Sequence, residues 1–196
     1  VKTVIIQYNA GNIQSVLYAL ERIGAQAIVS SDIETITSAD RVIFPGVGEA
    51  SSAMSYLKQH HLDKVIKDLS QPVLGICLGM QLMCKHSEEN NTECLGIFPN
   101  QVKKFPADMG LKVPQMGWNT ITQLRGSLFH GISESSFCYF VHSYFADLDE
   151  HTIAQTNYGF DYSSALHKKN FYGVQFHPEK SATVGEQILK QFIELV

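Results

Sequence analysis

The chain has 196 residues, enough for one large domain, and its 44% hydrophobic and 17% charged residues describe a globular protein with a sizeable core. A formal net charge of −4, with basic residues only in short pairs such as Lys103-Lys104 and Lys168-Lys169, argues against a nucleic-acid partner. No run reaches the roughly 18 to 20 apolar residues of a membrane span, and the apolar start Val4-Ile5-Ile6 is too short for a signal peptide.

In chain order, Thr3 to Gln7 reads as a strand ending in the turn Asn9-Ala10-Gly11-Asn12. A helical period follows, with Ile13, Val16, Leu17, Leu20 and Ile23 on one face and Gly24 as the stop. Ala27 to Val29 and Val42 to Phe44 are further strands, and Pro45-Gly46-Val47-Gly48 turns the chain into a helix whose inner face is Ala50, Ala53, Met54 and Leu57. Val73 to Ile76 is a fourth strand, with Cys77 at its end. Continuously apolar strands separated by helices indicate a parallel sheet covered on both faces.

Beyond about residue 98 the pattern changes to short strand candidates between turns: Gln101 to Phe105, Trp118 to Gln123, Tyr139 to Val141, Ile153 to Thr156 and Ala165 to His167. They predict an antiparallel extension of the same sheet. Tyr172 to Phe176 is a last strand, followed by an amphipathic helix carrying Val184, Ile188, Leu189, Phe192 and Leu195. With no repeat or linker, residues 1–196 read as one domain.

Gly75-Ile76-Cys77-Leu78-Gly79 lies between a buried strand and an apolar helical run, the form of a nucleophile elbow with cysteine as nucleophile. The sharp turn strains the central residue and leaves no room for flanking side chains, hence the glycines. A helix N-terminus at Cys77 favours the thiolate. Cys84 and Cys138 have apolar neighbours and read as core, while Cys94 lies in a polar stretch without a role. Four cysteines without Cys-x-x-Cys spacing point away from a zinc or thioredoxin-like site and towards a reducing, cytoplasmic setting, with no metal or cofactor expected.

The thiol needs a base. Among eight histidines, His60-His61, His86, His130, His151 and His167 lack supporting context. His177 ends an apolar strand and precedes Pro178-Glu179. A residue before proline is pushed towards an extended backbone, so His177 and Glu179 project to one side and the carboxylate orients the ring. In an α/β sheet the carboxyl ends of the strands carry the site, and Cys77, His177 and the Pro45–Gly48 turn all follow strands.

At these residues the chain resembles the class I (triad) glutamine amidotransferases, through Pro45-Gly46-Val47-Gly48, Gly75 to Gln81 and Phe176-His177-Pro178-Glu179, matched in order over nearly its whole length. Tyr8 to Ile13, Lys112 to Asn119, Tyr139 to Tyr144 and Glu179-Lys180-Ser181 are most similar to members acting as the glutaminase subunit of imidazole glycerol phosphate synthase in histidine biosynthesis. Two departures, Gln7 where aspartate is common and Gln115 where histidine is usual, are expected to bear on the partner-facing surface.

The resemblance implies a single-domain, flavodoxin-like α/β fold, with a mostly parallel sheet, helices on both faces and an antiparallel extension. It implies a Cys77, His177, Glu179 triad that hydrolyses glutamine through a thioester, with an oxyanion hole from Leu78 and the Val47-Gly48 turn. Gln81, Glu89 and the main chain of His142, Ser143 and Tyr144 would hold substrate, although Glu89 also reads as a solvated loop residue. The ammonia would pass to a (β/α)8-barrel cyclase subunit in a heterodimer, met by Asn12, Trp118 and Lys180, with core packing an equal reading for Trp118. The alternatives are the glutaminase of another synthase, such as pyridoxal phosphate synthase, a cysteine-elbow protein of the DJ-1 type, and a catalytically silent scaffold.

Overall fold

A computed structural model describes residues 1–9 and 11–195; Ala10, part of the turn expected at Asn9 to Asn12, lies outside them. The first half of the chain forms β1 (Thr3–Ile6), α1 (Ile13–Arg22), β2 (Ala27–Ser30), α2 (Ile33–Thr37), β3 (Arg41–Gly46), α3 (Ala50–Gln59), α4 (Leu62–Asp68), β4 (Val73–Cys77) and α5 (Leu78–Met83). The strands β5 (His86–Ser87), β6 (Thr92–Glu93), β7 (Gln101–Lys104), β8 (Gln115–Ile121), β9 (Ser136–His142) and β10 (Tyr144–Ala146) follow. The chain ends with β11 (Thr152–Asn157), β12 (Asp161–Lys168), β13 (Phe171–Val174) and α6 (Ala182–Glu194).

The strand order β2-β1-β3-β4-β13 is parallel throughout, the arrangement of a flavodoxin-like sheet. At β13 the sheet changes sense, and β12, β10 and β7 continue it antiparallel, with β5 and β6 beyond and β11 paired to β12. Alternate side chains of the parallel strands explain the unbroken apolar runs. Val4, Ile6, Val42, Phe44 and Val73 pack on one face against α2, α3, α4 and α5. Ile5, Ile43, Leu74 and Ile76 pack on the other against α1 and α6.

The structure departs from the sequence-based expectations in three places. α2 and α4 are too short, at 5 and 7 residues, for an apolar period to emerge, although Asp32 caps α2 by accepting a hydrogen bond from the Thr35 N–H. β8 and β9 do not extend the main sheet but form a separate two-stranded sheet, joined to it by a single bridge between Thr122 and Gln155. Cys94, expected in a polar loop, is buried.

Candidate active site

The elbow forms where β4 meets α5. Cys77 sits at φ 53° and ψ −110°, a backbone conformation that costs a non-glycine residue energy and that surrounding packing must hold. That packing is tight. A Cβ on Gly79 would run into the Phe44 carbonyl of β3, and one on Gly75 would come within 2.8 Å of the Met80 nitrogen. The thiol is therefore presented at the carboxyl edge of the sheet by the close approach of α5 to β3.

His177 follows β13, and Pro178–Lys180 forms a single helical turn. Glu179 Oε1 accepts a hydrogen bond from His177 Nδ1 at 2.8 Å, and both side chains are enclosed. The backbone is held from outside the turn. The His177 N–H donates to the Tyr139 carbonyl at 2.9 Å, and Ser181 Oγ donates to the His177 carbonyl at 2.6 Å while accepting from the Tyr139 N–H. Burial of the ring opposes protonation, but the negative charge of Cys77 and its contact with the ring, followed by Glu179, outweigh it and hold His177 well above the ordinary histidine range. Among the described residues the buried His177 Nε2 has no hydrogen-bond partner.

A cavity of about 310 Å³ opens over Cys77, at the small end of ligand sites and large enough for an amino acid. Val47, Gly48, Leu78, Gln81, Glu89, His142, Ser143 and Tyr144, all singled out in the sequence, line it. Pro114 and Val141 complete the wall. Gly48 has φ 118°, a conformation that glycine adopts readily. Gln81 Nε2 donates to the Tyr144 carbonyl at 2.9 Å. Glu89, raised from the usual carboxylate range by burial, accepts from the Ala50 N–H at 2.8 Å at the start of α3. The His142 ring is buried and bonded to the Tyr144 carbonyl at 2.7 Å; burial depresses it to about 4, so it is neutral at physiological pH.

The residues expected at a partner surface divide. Trp118 is 53% exposed, which overturns the core reading; with Met116 (65%) and Phe137 (57%) it forms an apolar face on the β8–β9 hairpin. Lys180 is exposed beside Glu179, and half-buried Asn12 accepts from Ser15 Oγ at the start of α1. Gln115 is not at the surface: it is buried and accepts from the Tyr162 hydroxyl at 2.9 Å, so that departure falls behind the site. Sequence reasoning missed two positions. Tyr8 donates to the Pro45 carbonyl at 2.7 Å and ties down the end of β3, which runs through Pro45 and Gly46, so the expected turn begins only at Val47. Gln175 lies against Cys77 (Nε2 to Sγ 3.7 Å), and its signal was a polar amide inside the apolar run Tyr172 to Phe176.

Comparison with known proteins is consistent with this geometry. The model of the family "Glutamine amidotransferase class-I" matches residues 4–195. A Bacteroides fragilis protein named imidazole glycerol phosphate synthase subunit HisH is 57% identical over 195 residues, covering 99% of this chain and 100% of the relative. A Haemophilus influenzae protein of the same name is 47% identical over 193 residues, covering 98% and 96%. Among solved structures, a putative GMP synthase protein from Thermoplasma acidophilum superposes with a TM-score of 0.75 at 20% identity, covering 98% of this chain and 92% of the other. A structure described as a glutamine amidotransferase superposes with a TM-score of 0.76 at 19% identity, covering 98% and 97%.

Proposed function

The chain belongs to the class-I glutamine amidotransferase family, and from that premise we infer that it is the glutamine-hydrolysing subunit of an imidazole glycerol phosphate synthase. The observation that carries this reading is the 57% identity to a relative of that name over its full length. Residues 1–196 then serve as one amidotransferase domain. Four unpaired cysteines suit a reducing cytoplasm, and among the described residues no helix is long and apolar enough to cross a membrane.

In the reaction we assign, the Cys77 thiolate attacks the side-chain amide carbon of glutamine. The negative charge that develops on the amide oxygen is met by the Leu78 N–H at the start of α5 and by an N–H of the Val47-Gly48 turn, whose glycine permits the peptide to rotate towards the site. Protonated His177 gives its Nε2 proton to the nitrogen, the C–N bond breaks, and ammonia leaves a glutamyl thioester. His177 then takes a proton from water, the hydroxide attacks the thioester, the C–S bond breaks, and glutamate and the thiolate are released. Glu179 holds the ring in orientation through Nδ1. Both Nε2 protons of Gln81 are engaged, at the Tyr144 carbonyl and Gln175 Oε1, so its Oε1 is the atom that accepts from a substrate N–H. Glu89 meets the substrate's amino group, and the main chain of His142 to Tyr144, which lines the same cavity, holds the rest of the substrate.

A synthase subunit implies a second subunit. We assign it as a (β/α)8-barrel cyclase in a heterodimer, docked on Asn12, Trp118 and Lys180, which uses the ammonia to form imidazole glycerol phosphate and an aminoimidazole carboxamide ribotide. The exposed apolar face of β8–β9 supports that docking. The test is a Cys77→Ala variant assayed with the cyclase and its ribotide substrate. Glutamine-dependent synthesis is lost and ammonium-dependent synthesis retained; continued glutamine hydrolysis by the variant would defeat the mechanism.

A further inference from the structure

β4 and β13 run parallel with Val174 beside Ile76, so the next residues, Gln175 and Cys77, are neighbours where the sheet ends. The Gln175 side chain is fully buried, and among the described residues its amide makes two polar contacts. Its Oε1 accepts from Gln81 Nε2 at 2.8 Å, and its Nε2 lies 3.7 Å from Cys77 Sγ. Gln81 Nε2 in turn donates to the Tyr144 carbonyl at 2.9 Å.

The polarity of this chain follows from its far end. A backbone carbonyl only accepts, so the atom of Gln81 facing Tyr144 is the nitrogen. That nitrogen faces Gln175, whose near atom must then be the oxygen. The atom of Gln175 facing the sulfur is therefore the nitrogen. Turning either amide over would set two oxygens, or two N–H groups, against each other at hydrogen-bond distance. The sulfur has a second neighbour, the Val141 carbonyl at 3.8 Å, which accepts from the neutral thiol. Once the proton leaves, that carbonyl faces an anion and repels it, while an N–H donor to the sulfur gains strength.

We propose that Gln175 is a positioning residue for the nucleophile, donating a hydrogen bond from Nε2 to the Cys77 sulfur in an orientation imposed by the Tyr144 carbonyl through Gln81. This rests on Cys77 being the nucleophile. It also links the two halves of the site, because the side chain assigned to substrate and the sulfur that attacks share one buried amide. Disturbing Gln175 weakens the charged sulfur directly, whereas Gln81 keeps its Tyr144 contact and much of its place in the cavity.

The test uses the heterodimer with its cyclase and follows alkylation of Cys77 by iodoacetamide across pH, with the modified residue located by peptide mass analysis, alongside kcat and KM for glutamine. Gln175→Met, similar in length but without the donor, is expected to move the alkylation midpoint to higher pH by about one unit and lower kcat about tenfold or more, with KM changing less than about threefold. Gln175→Leu also lacks the donor and adds no charge beside the sulfur, and should move the midpoint in the same direction. If Gln175→Met fails to fold, Gln175→Leu decides. A wild-type midpoint in a folded variant overturns the proposal, since a purely structural role would alter stability and leave the profile in place. Failure of the wild-type protein to hydrolyse glutamine would instead defeat the functional reading.

Discussion

His177 Nδ1 lies 2.8 Å from Glu179 Oε1, with both side chains 1% exposed. Two residues apart on one tight turn, they form a pair closed off from solvent, so the proton on Nδ1 has one acceptor and Nε2 is left for the proposed reaction.

Glu179→Gln is therefore expected to lower kcat by on the order of 10² to 10⁴ with modest change in KM, because the ring loses a charged orienter and with it the correct tautomer. The pH profile carries a second signature. His177 is held above its ordinary value, so its imidazolium, which in the proposed reaction protonates departing ammonia, persists at neutral pH and is lost only as pH rises through the folded-state value. Glu179 is one of the groups that raise it, so the variant's alkaline limb should move to lower pH. An alkaline limb left in place would contradict that role.

Gly79→Ala should destabilise the protein by about 3 kcal/mol or more, or prevent soluble expression, because the new Cβ meets the Phe44 carbonyl of β3 and α5 cannot retreat without moving the elbow. Gly24→Ala is the comparison. Gly24 has φ 75° but nothing within 4 Å of a Cβ, so only the backbone cost of about 1 kcal/mol applies. Urea unfolding of the two variants measures the difference, and equal losses would refute the steric account.

Trp118→Ala should leave the stability of the free subunit within about 0.5 kcal/mol, since the side chain is half in solvent and its aromatic contact is one edge-on approach to Tyr139. Affinity for the cyclase should fall about tenfold or more, as for a central aromatic anchor. Calorimetric titration against the cyclase decides, and unchanged affinity would remove Trp118 from the interface.

Glu49 caps α3 by accepting from the Ser51 and Ser52 N–H groups. Burial opposes its ionisation, but these bonds and one from Asn90 outweigh it and lower the carboxyl to about 2. A carboxyl depressed on folding stabilises the protein above its unfolded value of about 4.3, and that contribution is lost as pH falls through the folded value. Glu49→Ala should accordingly cost about 1 kcal/mol or less at pH 7, reduced by solvent screening, and almost nothing at pH 2. Thermal melts of both proteins at the two pH values provide the check.

Much of the site was legible because its chemistry is local. Gly75, Cys77 and Gly79 report the elbow within five residues, and His177 and Glu179 report the bonded pair proposed as base and orienter within three. The first strands and helices were legible from apolar runs and periods. α2 and α4 were not, being under two turns long, and the detachment of β8–β9 was not, since a strand's period does not say which strand it pairs with.

The sequence by itself pointed to the family and, through short spacings, to Cys77, His177 and Glu179 as the candidate triad; resemblance to that family then supplied most of the residues found to line the cavity around Cys77. The tertiary structure decided what depends on residues far apart in the chain. It put Trp118 outside and Gln115 inside, although they are three positions apart on β8, because the two sides of one strand face solvent and core. It also brought Gln175 to the sulfur of Cys77, 98 residues earlier, through the parallel pairing of β4 and β13. Strand partners are chosen by the packing of the whole sheet.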